Sequence, residues 1–173
     1  MSFGALSTFR DYAAAKLDDH LRQALRCARL LSGEQMWFRV NERSNSVGNL
    51  LLHLRGNVAQ WIVAGIGGRS FERDRPAEFA RRHPLPTEQL VADLESTVSD
   101  ARRIISGLSD ARLAEPVSIQ GYDTTVVAAV FHVVEHFAFH TGQIVWATKV
   151  LLNVDLSLYD AHGRRLDARN AAP

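Results

Sequence analysis

Four stretches of this chain repeat their apolar residues at steps of three and four, and that period commits it to packed helices before any single residue is weighed. The first stretch runs from Ser7 to Leu31, with Phe9, Tyr12, Ala13, Leu17, Leu21, Ala24, Ala28 and Leu31 on one stripe, and Ser32 with Gly33 stops it. After a connector holding Met36, Trp37 and Phe38, Asn45 or Ser46 caps a second helix that continues to Ile66 and ends in Gly67 and Gly68. Thr87, Gln89 and Leu90 open a third, whose stripe of Leu90, Val91, Leu94, Val98, Ile104 and Ile105 closes at Gly107. The following S-D-A-R-L-A-E-P-V-S-I-Q-G-Y-D-T-T mixes turn residues with Val117 and Ile119, which predicts a short hairpin or lid. Thr124 or Thr125 then caps a fourth helix that reaches Leu152, and residues 152–173 read as a tail or strap.

These elements predict an all-α four-helix bundle in one domain spanning residues 1–173, with no internal repeat. Bundle connections usually take about two to eight residues, whereas the charged, proline-punctuated segment 69–86 is far longer. A connection of that length predicts a crossover along the bundle, leaving the second and third helices parallel. The hydrophobic share of 46% and a formal net charge of +1 are those of an ordinary globular protein. They give no reason to expect nucleic acid or an anionic membrane as partner. No window approaches the ~20 apolar residues that a bilayer span requires. The opening M-S-F-G-A-L-S-T-F-R has no basic start, apolar core or cleavage site, and the single Cys27 cannot form an intramolecular disulfide. A cytoplasmic location is expected.

Chemistry concentrates in F-H-V-V-E-H-F-A-F-H-T-G-Q-I on the fourth helix, where His132, His136 and His140 follow one another at four-residue steps and Gln143 lies on the next turn. Positions spaced by four stack on one helix face, so the imidazoles and the amide share it. Phe131, Val134, Phe137, Ile144 and Val145 surround that face, and an apolar wall does not usually hold several imidazoles unless something binds them. A metal ion is the simplest such partner, since neutral imidazole is its commonest nitrogen ligand. A pair of His at this spacing also arises on solvated or dimer-forming helices. Upstream, His53 sits among Leu50, Leu51, Leu52 and Leu54, with Asn49 and Asn57 one turn away on either side, and it can complete a three-His set.

The L-L-H-L-R-G-N segment, the long crossover and H-F-A-F-H-T-G-Q-I together resemble the DinB/YfiT-like superfamily of small metal-binding four-helix bundles, over Phe9 to Leu152. The resemblance implies an up-down-down-up arrangement, in agreement with the crossover. It implies metal ligation by His53, His136 and His140, with His132 outside the triad as an orienting residue or a substitute ligand. Better-known members of that superfamily are thiol-dependent transferases and isomerases that use mycothiol or bacillithiol, so a low-molecular-weight thiol is a cofactor it implies.

Three neutral imidazoles leave a divalent ion its charge and at least one open position, the pattern of catalytic rather than structural sites. Such an ion can make a nucleophile of water or of a thiol, so hydrolysis and thiol transfer of a small molecule are both within reach. Zinc, nickel, iron and manganese all suit imidazole ligands. Gln143 is a candidate for positioning substrate, Glu135 for a general base, and Asn57 and His132 for contacts to a cofactor or to the ligand rings. The rival reading is a non-catalytic metal-binding or stress-related interaction protein. His20, His83 and His162 sit in polar or loop surroundings and read as solvated, and Cys27 reads as core rather than nucleophile. The aromatic connector around Trp37, with Leu156, Leu158 and Tyr159 of the tail, exceeds what one small core must bury, which predicts a homodimer.

Overall fold

The computed structural model describes residues 3–166; residues 1–2 and 167–173, which include the end of the expected tail, lie outside the described residues. The four periodic stretches form the long helices α1 (Phe3–Leu30), α3 (Val47–Val58, continued as a π-helical segment Ala59–Ile66), α5 (Thr87–Ser106) and α7 (Val126–Leu152). Three short helices occupy the connections: α2 (Gly33–Trp37), α4 (Arg75–Ala80) and α6 (Asp110–Ala114). A two-stranded antiparallel hairpin, β1 (Pro116–Ile119) and β2 (Tyr122–Thr125), precedes α7 in the register Pro116 to Thr125 and Ile119 to Tyr122.

The caps decide where the helices start. Ser46, one of the two residues expected to open the second helix, forms a capping box with Asn49, and Thr125 accepts from the backbone N–H of Ala128 at the head of α7. Asn153 closes α7 in the left-handed conformation at φ 52°.

Polar contacts fix the directions. Along α1 and α5 the pairs Asp18–Arg102 and Arg29–Glu95, with Arg10–Asp110 just past the end of α5, run in opposite senses, so these helices are antiparallel. Arg69, just past the π-helical segment, pairs with Asp100 near the end of α5, so α3 and α5 are parallel. His53 meets His136 while Trp61 meets His132, so α3 and α7 are antiparallel. Near the end of α1, Arg26 donates to the Leu156 carbonyl beyond α7, which sets α1 and α7 parallel. The bundle is therefore up-down-down-up.

One contiguous core runs through it, centred on Leu17, Leu54, Leu94, Val133 and Phe137. Cys27 belongs to it, and burial pushes its thiol pKa up. Phe131, expected beside the histidine face, instead points to solvent at 58% exposure, because the buried stripe of α7 passes through Val130 and Val133 on either side of it. His20 also departs from expectation: it is half-buried in α1, and burial lowers its pKa. The tail up to residue 166 folds back, burying Leu156 and bridging Tyr159 to Arg165. Among the described residues no helix is long and apolar enough to cross a membrane.

Candidate metal centre

The leucine run around His53 makes α3 buried on almost every side, so its imidazole enters the interior with 3% exposure. The long crossover segment supplies its partners. Asp74 caps α4 with Pro76 in the first turn, and this short helix is pinned to α3 by Asn49, whose Nδ2 donates to the carbonyls of Glu78 and Arg81 at 2.8 and 3.2 Å. Glu78 then reaches His53 Nδ1 at 2.9 Å and accepts from Arg73 Nε at 2.7 Å and Nη2 at 2.9 Å. Arg73 is held in turn by Gln60 Oε1 at 2.8 Å. This approach needs Gly56, because a Cβ there would fall on the Glu78 carboxylate.

On α7 the buried stripe passes through Val133, Phe137 and Thr141, and a rotation of about 100° per residue sets His132, His136 and His140 at its edge, toward α3. His136 Nε2 lies 3.1 Å from His53 Nε2 and 3.2 Å from His140 Nε2. The ligand atoms of the three residues all lie within 4.8 Å of one another, so the group could bind a metal ion. Two imidazoles on one tetrahedral zinc, each at about 2.0–2.1 Å, have nitrogens about 3.3 Å apart.

The outer nitrogens decide what points inward. Glu78 is a carboxylate 2.9 Å from His53 Nδ1, closer than Arg73 Nη2 at 3.2 Å, so Nδ1–H donates to Glu78 and Nε2 keeps its lone pair. His140 Nδ1 donates to Gln143 Oε1 at 2.7 Å, which leaves His140 Nε2 a lone pair as well. Both converge on His136 Nε2, which carries at most one hydrogen and can satisfy only one of them. His136 Nδ1 is buried without a partner. A cation among the three Nε2 atoms would relieve their convergence, while His136 Nδ1 would stay without a partner among the described residues.

Electrostatics agree. Burial, then the neighbouring His140, His53 and His132, pushes the His136 pKa down to about 3. Burial also lowers His140, against the raising hydrogen bond of Gln143, and burial lowers His132. Burial alone would raise Glu78, but the hydrogen bonds of His53 and Arg73 and the Arg73 charge outweigh it and hold the carboxyl below its ordinary range.

A cavity of about 700 Å³ opens beside the cluster, bordered by His53, His136, Asn57 and His132 and by residues of α4 and the hairpin. His132 packs on Trp61 with ring centroids 4.4 Å apart. Trp61 donates to Gln120 Oε1 at the hairpin turn, and Ile119 lies against Gly65, where a Cβ would come within 2.6 Å of it. The hairpin is thereby seated on the π-helical segment as one wall of the cavity. Gln143 is exposed and turned to His140 rather than to the cavity. Glu135 is exposed and borders a separate hollow of about 210 Å³ with His132, His136 and Phe139. Glu78, Arg73 and Gln60 are the site residues that periodicity alone misses; the D-R-P-A-E start signal of α4 was the available clue.

The fold and the cluster define a DinB-like helical bundle with a candidate three-histidine metal centre. The family model described as "Protein of unknown function (DUF1572)" matches residues 7–159, and the chain belongs to that family. A conserved protein from Enterococcus faecalis superposes with a TM-score of 0.69 at 12% identity, covering 83% of this chain and 97% of the other. A DinB-like protein from Bacillus cereus superposes with a TM-score of 0.59 at 15% identity, covering 76% and 85%. At these identities the likeness is one of fold. No functionally curated protein matches the chain.

Proposed function

We propose that His53, His136 and His140 hold one divalent metal ion and that the protein is a metal-dependent enzyme, of hydrolase or thiol-transferase type, acting on a small molecule in the adjoining cavity. The observation that carries this reading is the convergence of the His53 and His140 Nε2 lone pairs on His136 Nε2, with outer hydrogen bonds that fix their tautomers. When bound, a divalent ion supplies the Lewis-acid charge that makes water or a thiol nucleophilic near neutral pH. Zinc, nickel, iron and manganese fit the donor set.

The chain's own groups have separable duties in this reading. Glu78, braced by Arg73, holds the His53 ring and raises its basicity as a ligand. Gln143 does the same for His140, which makes it a positioning residue rather than a contact to substrate. His132, on the cavity wall beside His136, faces the substrate and is the better placed candidate for moving a proton there. Glu135, on the outer hollow, serves only a substrate that reaches that side. Trp61 and the seated hairpin form one wall of the cavity in which the substrate would lie.

Metal analysis of untagged protein, followed by a turnover screen with and without low-molecular-weight thiols, tests the reading. Stoichiometric metal with chelator-sensitive turnover supports it, and metal-free protein that takes up none refutes it. The lone, buried Cys27 is in keeping with a cytoplasmic enzyme. We also propose a two-fold dimer, through a different surface from the one expected. Leu156 is spent inside the chain and Trp37 packs on Gly48, whereas Phe139, Trp146 and Val150 stand exposed along α7. Sedimentation that finds a dimer split by Trp146→Glu supports this, and a concentration-independent monomer contradicts it.

A further inference from the structure

The two asparagines that flank His53 are both buried, and they are used differently. Asn49 spends its amide on the Ser46 cap and on two carbonyls of the α4 region. Asn57 borders the cavity at 4% exposure, and its Oδ1 has no hydrogen-bond partner. A buried acceptor left open costs stability unless something donates to it, and of the described residues with such atoms only Asn57 and His136 line the cavity, which makes the Asn57 amide a candidate ligand contact. Arg73 and Arg75, on either side of the Asp74 cap, divide in the same way. Arg73 is consumed by Glu78 and Gln60. Arg75 borders the cavity with its guanidinium over the Phe79 ring, 5.1 Å from the centroid, and pairs with no carboxylate among the described residues. A guanidinium stacked on an aromatic ring keeps its in-plane donors free for an anion, and carboxylate is the planar anion they fit.

We propose that the cavity binds a small carboxylate that also carries an N–H group, with Arg75 taking the acid end and Asn57 accepting from the N–H. This extends the metal-centre reading to a ligand class and rests on it only for the part of the molecule that meets the ion. Asp123, exposed on the hairpin wall, adds a second acceptor and disfavours a dianion. The stacked pair Trp61 and Tyr122, 6.3 Å between centroids, offers a flat aromatic surface for an apolar substituent.

A matched set of probes separates the two contacts without any substitution: hippurate has both groups, its ester isostere benzoyloxyacetate lacks the N–H, and hippuramide lacks the carboxylate. In calorimetric titrations of zinc-supplemented protein, hippurate should bind about tenfold or more tightly than either relative, the usual worth of one good polar contact to a charged or buried partner. Arg75→Gln, a change at an exposed position, should erase the advantage over hippuramide, and Asn57→Ala the advantage over benzoyloxyacetate. The same titrations on chelator-treated protein keep the two readings apart. If the protein takes up no zinc yet prefers hippurate through Arg75, the pocket assignment stands and the metal reading fails. If zinc binds stoichiometrically and the three probes bind equally, or none binds in either form, the pocket assignment is overturned and the metal reading survives.

Discussion

The seam between α1 and α5 and the seam between α3 and α7 bring polar groups together by opposite rules. Across the first, unlike charges meet: Asp18 with Arg102 and Arg29 with Glu95, with Arg10 reaching Asp110 of α6 just beyond. Across the second, like groups meet, with three imidazoles turned to one another and a fourth, His132, alongside. The first arrangement is complete in itself. The second brings three nitrogens together that could hold a cation, and behind it the Arg73–Glu78 pair is turned onto His53 rather than across two helices. In the proposed reading, stability and function are carried by different halves of one bundle.

If that division holds, the two halves should break independently. The largest effect falls on metal content: His53→Ala, His136→Ala and His140→Ala should each reduce bound metal to near background by elemental analysis, while His20→Ala and His83→Ala leave it unchanged. Full retention in His136→Ala would refute the assignment. His132→Ala should have an intermediate effect.

On the other half, Leu17→Ala, at a fully buried position of α1, should cost about 2–5 kcal/mol in denaturant unfolding without altering metal affinity of the folded protein. A loss of metal affinity as large as that of a ligand substitution would show that the halves are coupled.

Next comes the carboxylate behind His53. Glu78→Gln should weaken metal binding about 10–100-fold, the usual worth of such a partner, and Gly56→Ala should do likewise by displacing the carboxylate. Unchanged affinity in both would make the Arg73–Glu78 pair merely structural. Smaller again is the pH response of chelator-treated protein. The folded-state pKa of His136 is depressed to about 3, and those of His140 and Glu78 are depressed too, so the unfolded chain binds more protons at acid pH. Stability present above the ordinary histidine range should be lost as pH falls from about 6.5 toward 3. Thermal melts should record that decline, and His136→Ala should flatten it; a melting temperature that rises on acidification would contradict the sign.

Much of this was legible in the sequence, for identifiable reasons. The four helices follow from stripes such as Leu90, Leu94, Val98 and Ile105, and the parallel pair α3 and α5 follows from the length of segment 69–86. His136 and His140 share a face by helical arithmetic, which spacing alone reveals. The contact of Glu78 with His53 joins residues 25 apart through a six-residue helix, and no local period encodes it. The π-helical turn at Ala59–Ile66, which carries Gln60 and Trp61 into the site, is equally silent in a 3.6-residue pattern. Phe131 shows the converse error, an apolar residue read as buried where the helix turns it outward.

The central claim is that His53, His136 and His140 present their Nε2 atoms to a single cation. Anomalous diffraction at the zinc edge, on crystals of protein supplied with zinc, measures this directly. The predicted result is one peak at about 2.0–2.1 Å from all three Nε2 atoms, with Glu78 still on His53 Nδ1 and Gln143 on His140 Nδ1. A zinc bound elsewhere or through Nδ1, or three imidazoles unchanged around no peak at all, would contradict it.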